Sequence, residues 1–145
     1  MKITHGVAAF TVMYLPTSDL ELALYAVIFG LISDLDLVAG IKHRTFTHSL
    51  LFLTGVSIMA WAVSEKFGVA AFAGIGTHIL LDILTKSGVQ LYWPFKRRVR
   101  AARFRYDGLL PNYAIILTCW ILIVYFKGLK AFAEIERVLG LLQLR

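Results

Sequence analysis

The sequence predicts an all-α integral membrane bundle of four or five membrane-embedded helices followed by a C-terminal amphipathic helix, all within one domain of residues 1–145. Three observations lead there. The chain is 59% hydrophobic with a mean hydropathy of +0.73, above the roughly half-apolar usage of soluble domains. Charged residues make up only 17%, and they gather between apolar blocks instead of alternating with them along solvated helix faces. The apolar blocks themselves, near 3–15, 20–32, 46–63, 67–84 and 113–126, have the length of helices. In lipid a helix satisfies its own backbone polar groups, which makes it the natural reading for each block.

The blocks differ in reach. The third and fourth approach the ~20 residues needed to cross a bilayer's hydrocarbon, whereas the first two are shorter and suit a tilted or incomplete hairpin. Pro16, Thr17, Ser18 and Asp19 form the turn between those two, with Ser18 or Asp19 able to cap the second helix. Gly68, Gly74 and Gly76 in the fourth block would let neighbouring backbones approach closely. Beyond Gly128, Phe132, Ile135, Leu139 and Leu142 recur at helical spacing beside Glu134, Glu136 and Arg137. That tail, about 129–145, reads as an amphipathic interfacial helix or a short packing helix. The opening "MKITHGVAAFTVMYL" is a poor secretory signal, because no small-residue cleavage site follows it. Cys119 is the only cysteine, so an intrachain disulfide is excluded.

With helices alternating in direction, Lys2, Lys42, Arg44, Lys86 and the run "KRRVRAARFR" (96–105) share one face. The opposite turns hold only Lys66, so the basic face is expected in the cytoplasm. The net charge of +6, concentrated in a basic interfacial loop of about 86–110, fits anionic lipid headgroups. Val99, Ala101 and Phe104 interleave its cations, and "LYWPF" before it resembles an aromatic belt. No base-reading motif accompanies the run, and nucleic acid is not expected as a partner.

The same alternation brings seven ionisable side chains to that face: His5, Asp34, Asp36, His43, His48, His78 and Asp82. His78 and Asp82 are spaced i, i+4 and reach a common centre from one helix face, with Thr85 a further turn along. Acids in or near a low-dielectric region repel one another and are costly to desolvate unless paired. No Lys or Arg lies in the third or fourth helix beside Asp82, so one or two divalent ions are the expected compensators. Mixed imidazole and carboxylate donors favour Zn foremost, with Mn or Fe also compatible. The expected ligands are His5, Asp34, His48, His78 and Asp82. Asp36 and His43 are read as catalytic residues, as partners that orient the ligands, or as ligands of a second ion. Arg44 and Lys86 are candidates for binding a substrate phosphate, as are Thr47 and Ser49 with the amides at the start of the third helix.

An open metal site activates water and polarises an ester or phosphoryl group, so hydrolysis is the chemistry that fits. At a membrane rim the substrate would be an amphiphile, with lipid phosphate favoured. Two non-enzymatic readings compete with this one. A metal-ion or proton pathway should continue across the bilayer, but the outer halves of the third and fourth helices hold no ionisable group other than at the 65–66 turn. A membrane-tethered recruitment protein would use the basic loop and leave the histidines unexplained.

The early histidine, "DLD", "HRTFTHSLL" and "GTHILLDILTKSGVQLYWPF" resemble the YdjM-like family of predicted membrane-bound, metal-dependent hydrolases, over about residues 1–100. The resemblance implies a small helical protein of the inner membrane with hydrolase activity. It carries functional expectations onto Asp34, His43, Arg44, His48, His78 and Asp82. The family pattern usually has proline before the first acid of Asp-x-Asp; Ser33 stands there in this chain.

Overall fold

A computed structural model of the chain describes residues 2–37, 40, 42–102, 105 and 108–143, with side chains of the last helix described through residue 137. The described residues form α1 (Lys2–Thr17), α2 (Leu20–Ile32), α3 (Leu50–Val63), α4 (Glu65–Ile83) and α5 (Leu109–Gln143). Two 3-10 turns, Ser33–Leu37 and Phe46–His48, lie between α2 and α3. No extended strand occurs among the described residues, only an isolated antiparallel bridge between Val89 and Val99.

Helix ends follow local chemistry. Pro16 and Thr17 remain in the last turn of α1, and the chain reverses at Ser18, whose φ of 57° is a left-handed conformation. Asp19 then caps α2 by accepting from the Leu22 amide at 3.0 Å. The third apolar block was expected to be helical from Phe46, but α3 begins at Leu50. The cause is Ser49, extended at φ −111° and ψ 160°, whose Oγ accepts from the Phe52 amide and so starts the helix there. Ser64 repeats the device, ending α3 and capping α4 at the Phe67 amide.

α4 is the central element, flanked by α1, α2 and α3, while α5 lies along α1. α2 and α4 run parallel: Lys66 meets Glu21 at one end, Tyr25 packs edge-on to Phe67, and Asp34 meets His78 at the other. They cross at Gly30 and Gly74, where a Cβ on Gly74 would fall 2.1 Å from the Ala26 carbonyl oxygen. Only glycine permits this approach. Gly68 likewise abuts Trp61, whereas Gly76 has nothing within 4 Å and serves no close contact.

The expectation of four or five membrane-embedded helices, the first two of incomplete reach and the third and fourth near full length, is met only in part. Among the described residues only α4 and α5 are long and apolar enough to cross a bilayer. α1, α2 and α3, at 16, 13 and 14 residues, extend roughly 24, 20 and 21 Å at 1.5 Å per residue, short of ~30 Å of hydrocarbon. The separate tail also dissolves: the fifth block and residues 129–143 are one helix of 35 residues, uninterrupted at Gly128. Thr4 bonds Asn112 at 2.7 Å, and Lys127 reaches Ser18 and sits over the Tyr14 ring, so α5 runs parallel to α1 and then continues past its end. Residues 131–137 are exposed. Arg103 and Phe104 of the basic run lie outside the described residues, as do the side chains of Leu139 and Leu142.

Candidate metal centre

All seven ionisable residues singled out in the sequence lie at one end of the bundle. His5 enters from the first turn of α1, His78 and Asp82 from the last turns of α4, Asp34 and Asp36 from the turn after α2, and His48 from the turn before α3. The loop carrying Arg44 and His48 is held in place by backbone bonds from the Gln90 amide to the Arg44 carbonyl and from the Leu50 amide to the Leu91 carbonyl. Part of the basic loop therefore acts as a brace for the site. Val89, fully buried against Leu53, Ile75 and Ile79, anchors it.

The donor atoms converge. His48 Nε2 lies 3.1 Å from His78 Nε2 and 3.2 Å from Asp82 Oδ2. His78 Nε2 lies 3.6 Å from Asp34 Oδ1 and 3.8 Å from Asp82 Oδ2. His5 stacks on His78 with ring centroids 4.0 Å apart and places Nε2 3.6 Å from Asp82 Oδ1. Three overlapping groups could hold a metal ion: His5, His78 and Asp82; Asp34, His48 and His78; and Asp36, His43 and His48.

Hydrogen-bond accounting tests the fit. The Thr47 hydroxyl donates its one proton to Asp36 Oδ2 at 2.8 Å, so at its 2.9 Å contact with His48 Nδ1 the imidazole must be the donor. In its neutral form His48 then presents a bare Nε2 lone pair to Asp82 Oδ2 and to His78 Nε2. Toward Asp82 Oδ2, at 3.2 Å, two lone pairs then meet, an arrangement that a proton or a cation between them relieves. Charge gives the same answer. Arg44 Nη2 donates to Asp82 Oδ1 at 2.9 Å and Nη1 to Thr85 Oγ1 at 3.0 Å, so with the histidines neutral one guanidinium stands against the carboxylates of Asp34, Asp36 and Asp82, a formal excess of two negative charges. A divalent ion would balance that excess, and the mixed imidazole–carboxylate set suits a transition metal.

Beside this cluster stands a His–Asp pair. His43 Nδ1 lies 2.9 Å from Asp36 Oδ1, and the Arg44 amide donates to Asp36 Oδ2 at 3.3 Å. Burial pushes the Asp36 carboxyl upward, but the hydrogen bonds from His43 and Thr47 lead the effects that outweigh it and hold the group below its usual value. The His43 side chain is 33% exposed, whereas that of Asp36 is fully buried.

The remaining candidates separate. Arg44 is turned inward onto Asp82 and Thr85, so a cation does stand beside Asp82, supplied by the loop and not by α3 or α4. The hydroxyl of Thr47 is engaged by Asp36 and His48, and that of Ser49 donates to the Phe46 carbonyl at 2.6 Å while capping α3. Lys86 is exposed. Lys2, read in the sequence only for orientation, shares a groove with Asp34. Its position three residues before His5 was the available signal. Thr4 and Asn112 were not anticipated; their hydrogen bond helps tie α5 to α1, and no motif marks it.

Known proteins add context. The chain aligns with YvsG of Bacillus subtilis at 27% identity over 93 residues, 59% of this chain and 58% of that protein. It aligns with ORF4 of Methanothermobacter thermautotrophicus at 26% identity over 77 residues, 53% of this chain and 32% of that protein. Both are described only as uncharacterized, and the chain spans less than two thirds of either. No solved structure gives a significant match. The model of the YdjM inner membrane protein family matches residues 1–142, nearly the whole chain and every residue of the candidate metal centre, and the protein belongs to that family.

Proposed function

We propose that this protein is a multi-pass, membrane-bound, metal-dependent hydrolase that cleaves a phosphoester of an amphiphilic substrate at the cytoplasmic face. The observation that carries the reading is the pairing of a five-donor cluster, His5, Asp34, His48, His78 and Asp82, with an accessible histidine on a buried aspartate next to it. A divalent ion, zinc by preference, would be held by those donors and would supply Lewis-acid polarisation and a water acidic enough to attack near neutral pH. Each protein group has a task around it. Asp36 fixes the His43 ring through Nδ1, leaving Nε2 to take or return a proton as a general base and acid. Thr47 holds the His48 Nδ1 proton and so keeps Nε2 free for ligation. Arg44 neutralises one carboxylate oxygen of Asp82. Lys86, exposed beside Thr85 at the end of α4, is assigned to substrate phosphate, and the exposed Tyr92, Trp93 and Phe95 to the interfacial belt.

The test begins with metal analysis of detergent-purified protein, native and His78→Ala/Asp82→Ala, followed by phosphate release from a panel of phospholipids. Stoichiometric metal in the native protein alone, with release that the double variant lacks, is the expected result. Absence of stoichiometric metal from the native protein after metal-replete growth would overturn the proposal.

A further inference from the structure

Of the five donors in the cluster, four are almost sealed, with side chains at most 3% exposed, and Asp34 at 12% is the one that opens outward. What it opens onto is a groove of about 570 Å³ between α1 and α2, within the size range of small-molecule sites. The walls are Ile3, Val7, Phe10, Val27 and Leu31, and Gly6 forms part of the floor. Lys2 and Asp34 stand at the polar end, and Phe10 and Val27 lie deeper along the antiparallel helices. The groove thus has one polar end, where Lys2 and Asp34 stand beside the donor cluster, and one wholly apolar end. A soluble polar substrate has no use for the latter, and an apolar helix from another protein would bring no group for the former.

We propose that this groove seats one acyl chain of an anionic phospholipid, with the Lys2 ammonium against the headgroup phosphate and the ester delivered past Asp34 to the cluster. The assignment rests on the hydrolase reading for its direction, since the polar end is defined by the metal donors. Apolar surface along Val7, Phe10 and Leu31 supplies the attraction, at a strength that grows with each methylene buried. Lys2 favours phosphate-bearing heads over zwitterionic or neutral ones. Gly6 keeps the floor open: a Cβ there would already touch Val27 Cγ1 at 3.4 Å, so any larger side chain would occupy the space of the chain.

The experiment uses the full-length, metal-loaded protein in detergent micelles and a phosphatidic acid carrying a diazirine in mid-chain, with photo-adducts mapped by mass spectrometry. Adducts are expected on Val7, Phe10, Val27 and Leu31. Moving the diazirine to the terminal carbon should shift them toward Phe10 and Val27, a readout that needs no variant. Val7→Trp/Leu31→Trp, both at partly exposed positions, should lower groove adducts about tenfold, the effect of losing roughly two buried methylenes. Val63→Trp, on an exposed position of α3, should not. Adducts spread over the exposed faces of α3 and α5, adducts indifferent to the diazirine's depth, or a protein–protein adduct marking a second copy in the groove would each overturn the proposal. Labelling requires no turnover. A chain seated in the groove without phosphate release would therefore defeat the hydrolase reading and leave the groove assignment standing.

Discussion

Replacing Arg44 by methionine removes the guanidinium while keeping the length of the side chain, and the structure fixes what is lost. Two hydrogen bonds disappear, to Asp82 Oδ1 at 2.9 Å and Thr85 Oγ1 at 3.0 Å, and the cluster gains one unmatched negative charge. At that separation and an effective dielectric near 20, the charge pair alone is worth about 6 kcal/mol. Desolvation offsets part of it, and removal of one member of a buried pair typically destabilises by about 3–5 kcal/mol. Arg44→Met should therefore lower unfolding stability in chelator by about that amount, measured by reversible denaturation in mixed micelles. Zinc should restore a larger share in the variant than in the native protein, because an ion now meets three carboxylates without a competing cation. Asp82→Asn combined with Arg44→Met should cost less than the two single changes added together. The reasoning is refuted if Arg44→Met unfolds within about 0.5 kcal/mol of the native protein in chelator and alters only KM; Arg44 would then face substrate phosphate, as its motif alone suggested.

Four further outcomes follow from the same geometry. Thr47→Val, nearly isosteric, should raise the metal dissociation constant by about 10–100-fold in a competition titration, since His48 loses the group that sets its tautomer. His43→Asn should leave metal content unchanged and reduce phosphate release by about 10²–10⁴-fold. Gly74→Val should force α2 from α4, destabilising the bundle by about 1–3 kcal/mol in thermal melts, with Gly76→Ala much milder. Phe132→Ser/Ile135→Ser should change neither metal content nor melting, because both side chains are exposed and lie past the end of α1.

The site was more legible than the fold. Alternating apolar blocks bring the ends of successive helices to the same face, so the gathering of His5, Asp34, His48, His78 and Asp82 followed from segment order, and the i, i+4 spacing of His78 and Asp82 located its centre. What hydropathy could not supply were lengths and branch points. Phe46 to Val63 reads as one apolar run, yet Ser49 starts the helix because a capped extended residue leaves His48 on a tight turn, where both ring nitrogens face partners. Gly128 reads as a break, yet one glycine costs a helix only about 1 kcal/mol and α5 passes through it. The inward turn of Arg44 depends on its left-handed φ of 63° and on the brace from Gln90, neither of which has a local sequence signature.

The distribution of burial connects fold and chemistry. Between α1, α2 and α4 the packed residues are largely small, Ala9, Ala23, Ala26, Ala70 and Ala71 among them, while Leu24, Ile28, Ile58, Phe72 and Leu80 point outward. Such an arrangement suits a lipid solvent, in which outward apolar groups need no burial and helices are held by close approach and polar contacts. The large side chains that are fully buried include Ile75 and Val89, but also His48, His78, Asp36, Asp82, Thr4 and Thr85. The polar cluster is thus a principal packing core at its end of the bundle, and it draws together α1, α4 and the two turns within the α2–α3 connection. A formal excess of negative charge in that core opposes folding, and whatever neutralises it stabilises the same contacts that close the bundle. Metal ligation there would make binding and folding one equilibrium, since the candidate ligands also set the relative positions of four chain segments. For that reason substitutions in the cluster need to be read through metal content and stability before any loss of turnover is assigned to chemistry.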